Sequence, residues 1–215
     1  LERVPDAPLD SWQLFFDPQI VSQLADCGVG SVDSADEIVA AALAHLGKPP
    51  ESLEAADLDA AFEVIRGLSP HVRAFDSGLY DSLMEQSLCL AATWNTEGVA
   101  AVYELEDSPY TFVTPKEGTD LWFDVLVLPT GAKNLDAVRQ FVEYLHRPEQ
   151  AARLVEWGYT ASGLPEARQH VSEDLLNNTA VYPDLEGGSF YLLPRRTGEQ
   201  KAALDKRWRR TLLGR

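Results

Sequence analysis

The stretch Leu121-Trp-Phe-Asp-Val-Leu-Val-Leu-Pro129 is dense in aromatic and β-branched residues and is stopped by a proline, so it reads as a strand with apolar residues on both faces. A strand of that kind belongs inside a layered α/β fold, where helices cover both sides of the sheet. Asp124 interrupts the run. An ionised carboxylate in apolar surroundings costs several kcal/mol unless a cation or strong hydrogen-bond donors meet it. The sequence therefore poses the question of which cation meets Asp124.

Outward from this run, periodicity marks helices alternating with strands. Ser34-Ala-Asp-Glu37 fits a capping box, and Ile38, Val39, Ala42, Leu43 and Leu46 follow at helical spacing until Gly47 and Pro49-Pro50. A second helix runs through Leu58, Ala61, Phe62 and Ile65. Leu88 to Trp94 and Tyr110 to Thr114 read as short buried strands. Asn134 caps a helix with Leu135, Val138, Phe141, Val142 and Leu145 on one side, and Pro148 opens the next helix at a favoured first position. Residues 166–189, with Asn177-Asn178, Pro183 and Gly187-Gly188, are the most loop-like part and read as a crossing between lobes.

The 215 residues suffice for a sizeable core in one domain or two small ones. A net charge of −16 argues against a nucleic-acid surface and for cationic small molecules or simple solubility. Residues 195–215 hold eight Lys and Arg against two acids, leaving residues 1–194 with ten basic against 32 acidic residues. This basic tail reads as the solvated face of a terminal helix with Leu204, Trp208 and Leu212 turned inward. No apolar run approaches the roughly 20 residues of a membrane span. The chain opens on Leu1-Glu2-Arg3-Val4-Pro5 without methionine or an apolar leader, as expected of a mature or trimmed product.

Cys27 and Cys89 lack C-x-x-C spacing and suggest neither a metal nor a redox motif; an even count admits one disulfide in an oxidising compartment. The four histidines are scattered without ligand spacing, and no metal site or cofactor is expected. Three acid-plus-aromatic stations stand out: Glu37 at a helix start, Trp94-Asn-Thr-Glu97 after a strand, and Trp122-Phe-Asp124; Trp157-Gly-Tyr159 adds aromatics at a helix end. Each has a plain structural alternative: a capping box for Glu37, a solvated turn acid for Glu97, and a helix C-terminus for Tyr159. Together, aromatics beside carboxylates are suited to organic ammonium groups, since a desolvated ammonium over an indole gains about 2 kcal/mol. A glycosidase would also use two carboxylates, but no nucleophile elbow, P-loop or dinucleotide fingerprint is present.

Over most of its length the chain resembles the periplasmic spermidine/putrescine-binding proteins of polyamine ABC transporters. The resemblance rests on LDSWQLFFDP (9–18), CGVGSVDSADEIVAAALAHLGK (27–48), SPHVRAFDSGLY (69–80), CLAATWNTE (89–97), PKEGTDLWFDVLVLP (115–129), FVEYLHRPEQAA (141–152), NNTAVYP (177–183) and RWRRTLLGR (207–215). It implies a type II-like periplasmic-binding-protein fold of two α/β lobes closing over a ligand. Residues 1–119 and about 170–215 would form a nearly complete second lobe, and residues 120–169 a piece of the first, whose opening part would precede Leu1.

The resemblance further implies a polyamine pocket lined by Glu37, Trp94, Glu97, Trp122, Asp124 and Tyr159, a Cys27–Cys89 disulfide, a periplasmic location, no catalysis, and an ABC permease as partner. Asp124 would then meet a protonated amine, with Trp122 along the methylene chain. Glu97 stands where many members of the family have Asp, and its extra methylene moves the carboxylate outward. Without the rest of its lobe, the 120–169 segment would expose apolar surface and call for a homo-oligomer, a rearranged segment or a partner fragment. The reading from another class is a truncated homologue acting as a protein-interaction module.

Overall fold

A computed structural model describes residues 3–214 and divides into two compact units. The first comprises residues 1–121 and 185–215. In chain order it holds α1 (Gln13–Phe16), α2 (Pro18–Val21), β1 (Val29–Val32), α3 (Ala35–His45), α4 (Ala55–Leu68), β2 (Ala74–Asp76), α5 (Tyr80–Met84), β3 (Leu90–Ala92), α6 (Asn95–Glu104) and β4 (Thr119–Asp120). The second unit, residues 122–184, holds α7 (Leu135–Leu145), α8 (Pro148–Gly158) and α9 (Glu173–Leu176). The chain then returns to the first unit with β5 (Phe190–Tyr191) and α10 (Gly198–Leu212).

The first unit is built on β1, the centre of a three-stranded parallel sheet in the order β2-β1-β3. Every residue of β1 is buried, as a central parallel strand with both faces covered requires. A Cβ at Gly30 would overlap the Leu88 side chain and crowd Leu79, so glycine here lets those leucines lie against the sheet. Gly28, at φ +102°, leads into β1 where any side chain would overlap the Ser87 carbonyl, and its own carbonyl accepts the Cys89 N–H.

α3 is buried nearly all round because five of its residues are alanine, and Gly47 ends it at φ +65°. α4 turns Ala61, Phe62, Ile65 and Leu68 into the same core. α10 buries Leu204 and Trp208, whose ring meets Phe75 edge-on and whose indole N–H donates to Asp33 at 2.5 Å. Arg207 lies over the Phe62 ring and pairs with Asp59, so part of the basic tail is spent on α4. A two-stranded parallel ladder, Thr119↔Phe190 and Asp120↔Tyr191, completes the unit.

Several expectations need correction. Leu121–Pro129 is extended but forms no strand: among the described residues no neighbouring backbone pairs with it from Trp122 onward, and Phe123 and Val127 are 76% and 81% exposed. Tyr110–Thr114 also lacks strand pairing; it is held instead by the Tyr110 hydroxyl donating to the Leu88 carbonyl. The Ser34–Glu37 capping box does not form, because Ser34 makes no side-chain cap and Glu37 accepts from elsewhere.

The second unit has a small core of Ala151, Ala152, Val155, Ala167, Val171, Leu175 and Val181. The loop-like region after residue 166 is tied into it. Glu156 accepts from the Ser172 N–H and hydroxyl at 2.5 and 3.2 Å, and Arg168 lies over Tyr182, so the compact unit runs on to Asp184. α7 buries no residue, and Leu135 and Phe141 face solvent.

Cys27 and Cys89 form a disulfide that joins the entries of β1 and β3 across 62 residues. Closing a loop of that length removes denatured-state entropy equivalent to about 4 kcal/mol. Cys27→Ser is therefore expected to lower unfolding stability by a large part of that amount, measured by denaturant titration with and without reductant. Equal midpoints for the oxidised parent and the variant would contradict it.

Candidate functional site

Parallel β1 and β3 end side by side, and each runs directly into a helix. The carboxyl edge of such a sheet is where α/β folds gather ligand-binding residues. From the β1–α3 turn comes Glu37, in the first turn of α3; from the β3–α6 turn comes Trp94, the N-cap residue of α6. The Trp94 indole N–H donates to Glu37 Oε2 at 3.1 Å, linking the two turns. The adjacent Asp36 carries its own cations, the buried guanidinium of Arg196 at 2.6 Å and Lys201 at 3.0 Å. Glu37 makes no ion pair among the described residues.

A residue not singled out from the sequence completes the group. Asp120 ends β4 opposite Tyr191, on a ladder that packs against α3. Its position is fixed from below: the Trp12 indole N–H donates to the Gly118 carbonyl at 2.8 Å, and the Ser11 hydroxyl and Trp12 N–H both donate to the Glu117 carboxylate. Gly118, at φ +105°, allows close approach to the Ser189 carbonyl that receives the Thr119 N–H. Asp120 Oδ2 is buried and has no hydrogen-bond partner among the described residues.

Burial first, and the charge of Glu37 second, raise the pKa of Asp120 above the ordinary carboxylate range. Burial and the charges of Asp120 and Glu37 likewise push the Tyr191 phenol far up. The cluster thus concentrates acidic groups, and no ion pair among the described residues balances Glu37 or Asp120. An ammonium about 4 Å from one carboxylate gains about 4 kcal/mol at an effective dielectric near 20, and the indole beside it can add about 2 kcal/mol.

Glu97 lies on the same helix as Trp94, but its Oε2 accepts from the Leu79 N–H at 3.0 Å and the Thr93 hydroxyl at 2.5 Å. Gly78 leaves room for that carboxylate, since a Cβ there would come 2.8 Å from Oε1. Glu97 therefore pins the start of α5 and is not the free turn acid its sequence context allows. Trp122, Asp124 and Tyr159 belong to the second unit. Asp124 is exposed, so the desolvation cost expected of it falls instead on Asp120. Tyr159 ends α8 in a left-handed conformation, φ +53°, its N–H donating to the Val155 carbonyl at 2.8 Å. The signal that could have found Asp120 is its place in the Thr119-Asp120-Leu121 step before the apolar run, but only the covering by α3 and β5 makes it costly.

Residues 2–182 match the family model of the bacterial extracellular solute-binding proteins. The chain belongs to that family. It is 33% identical over 184 residues to the putrescine-binding periplasmic protein PotF of Escherichia coli strain K12, covering 83% of this chain and 50% of that protein. It is 31% identical over 209 residues to the putrescine-binding periplasmic protein SpuD of Pseudomonas aeruginosa strain UCBPP-PA14, covering 94% and 57%. The fold superposes with a TM-score of 0.81 on the spermidine/putrescine ABC transporter substrate-binding protein PotD of Streptococcus pneumoniae, at 20% identity, over 99% of this chain and 64% of that one. The type II-like periplasmic-binding-protein fold is thereby established, and the chain spans about half the length of the relatives it matches in sequence. No helix among the described residues is long and apolar enough to cross a membrane.

A carboxyl group whose pKa is higher folded than unfolded stabilises the fold when protonated. The contribution of Asp120 is present below the unfolded value of 3.8 and is lost as pH rises through the raised folded value. Asp120→Asn is expected to melt above the parent at neutral pH and to lose that advantage in acid. A variant equally displaced from the parent at both pH values would contradict this.

Proposed function

We propose that the chain is the ligand-recognising part of a periplasmic polyamine-binding protein that serves an ABC importer and catalyses no reaction. The observation that carries this reading is the pair of acids Glu37 and Asp120, with Trp94 bonded to Glu37 and no ion pair to either among the described residues, at the carboxyl edge of the parallel sheet. The printed functions of PotF and SpuD, both putrescine-binding, support the ligand class. Glu37, Trp94, Glu97, Trp122, Asp124 and Tyr159 are proposed as ligand contacts, with Glu97 acting mainly through the loop it holds.

The lobe assignment is part of the proposal. We propose that residues 1–119 and about 170–215 represent the second lobe and residues 120–169 a piece of the first; the compact units divide instead after residues 121 and 184, which sets α9 in the second unit. Calorimetric titration with putrescine and spermidine at low and moderate salt tests the function. Saturable binding that weakens with salt, and weakens at least about tenfold in Glu37→Gln and in Asp124→Asn, is the expected result. Unchanged affinity in both variants would remove the pocket assignment.

The exposed apolar face of the second unit supports one further reading. Phe123, Val125, Leu126, Val127, Leu128 and the 83%-exposed Trp157 form far more apolar surface than a small unit keeps in water. We infer that an α/β segment completing the first lobe covers it, and that the permease meets the completed protein. The 215-residue chain alone should self-associate and bind a hydrophobic dye, both reduced by Val127→Lys, in light scattering and dye fluorescence. A monodisperse monomer without dye binding would count against this.

A further inference from the structure

We propose that Asp120 is a second anionic ligand for the ammonium group that Glu37 and Trp94 receive, so that one end of the bound polyamine is a primary ammonium shared between two carboxylates. The inference rests on the polyamine reading above and adds to it a residue that the acid-plus-aromatic pattern of the sequence did not contain. Its basis is geometric. The ladder sets Asp120 opposite Tyr191, β4 packs on α3 where Glu37 sits, and Oδ2 of Asp120 is buried with no donor.

A buried acceptor left unpaired is costly, and a structural role would normally supply it with a donor from the protein. Around Asp120 the neighbouring ionisable groups are Glu37 from α3 and Tyr191 from β5, neither of them a cation, while Thr119 on its own strand reaches Oδ1 at the limiting distance of 3.5 Å. The cations Arg196 and Lys201 are committed to Asp36, the neighbour of Glu37 on α3.

Glu37 Oε2 already accepts the Trp94 N–H. A primary ammonium brings three donors and a full positive charge. It can satisfy Asp120 Oδ2 and a Glu37 oxygen together while resting against the indole. Burial and the charge of Glu37 hold the Asp120 pKa above the ordinary carboxylate range, and a bound cation favours the ionised form, so in acid the incoming ammonium promotes loss of a proton from this group. Cation binding and proton release are thereby coupled at this one carboxyl group.

The test uses the full chain and putrescine. Asp120→Asn is expected to raise the putrescine Kd at least about tenfold, as loss of a charge-assisted hydrogen bond does. It should also flatten the salt dependence and abolish the proton release seen by calorimetry in acidic buffers of different ionisation enthalpy. Asp120→Ser, which removes the charge with a smaller side chain, gives the same outcome should the Asn variant not fold.

If either folded variant binds putrescine as the parent does while Glu37→Gln weakens binding, Asp120 is a structural acid and the inference fails with the polyamine reading intact. If the parent binds neither putrescine nor spermidine, both fail together. Loss of affinity accompanied by a lowered melting temperature and unchanged proton release would assign Asp120 to the fold and overturn its role as a ligand.

Discussion

Burial of β1 on both faces, between two parallel neighbours, is the constraint on which the first unit depends. Val29, Gly30, Ser31 and Val32 have no exposed side, so helices must cover both surfaces of the sheet. With β1 and β3 parallel and adjacent, their carboxyl ends and the helix starts that follow must lie together. Glu37 and Trp94 meet for that reason, although 57 residues separate them in the chain. The Cys27–Cys89 disulfide clamps the opposite ends of the same two strands. Small residues make the arrangement fit: glycine at 30 admits Leu79 and Leu88, and the alanines of α3 allow it to be enclosed.

Electrostatics then separate the acids of this edge by their neighbours. Asp36 and Asp33 are satisfied within the protein, by Arg196 and Lys201 and by the Trp208 indole. Glu97 is satisfied by the Leu79 amide and Thr93. Glu37 and Asp120 have no ion-pair partner among the described residues; burial and then the charge of Glu37 raise the pKa of Asp120, and burial and then the charges of Asp120 and Glu37 raise that of Tyr191. A protein with a net charge of −16 attracts cations over its whole surface, but only a carboxylate pair held out of water can bind one with appreciable energy.

The helices were legible in the sequence because their apolar spacing is decided locally: α3, α4 and α10 turn inward most of the residues that periodicity selects, although Leu46 at the end of α3 stays exposed, and α8 forms after Pro148 with Ala151, Ala152 and Val155 inward and Leu154 outward. α7 forms where its pattern requires, yet its apolar side is only partly covered, with Leu135 and Phe141 exposed and Val138, Val142 and Leu145 half-buried, since a pattern specifies a face and not what lies against it. The same limit explains Leu121–Pro129, whose composition calls for a strand but whose backbone, beyond the Leu121 N–H bonded to the Tyr191 carbonyl, meets no neighbouring strand in the described residues. Glu37 and Trp94 could be named from residue type, whereas their hydrogen bond depends on the register of β1 against β3. Asp124 drew attention because apolar residues surround it in the chain. Asp120, four residues earlier, is the carboxylate that the fold buries, because α3 and β5 close over it from distant parts of the sequence.

The central claim is that an amine enters the Glu37–Asp120–Trp94 cluster. The indole N–H resonance of Trp94 reports on it directly, because that proton is bonded to Glu37, while those of Trp12 and Trp208 are bonded elsewhere in the same unit. In a putrescine titration followed by proton–nitrogen correlation spectroscopy, the account predicts a saturable shift of the Trp94 indole signal with those of Trp12 and Trp208 unmoved. A Trp94 signal that stays fixed while the chain binds putrescine would contradict it.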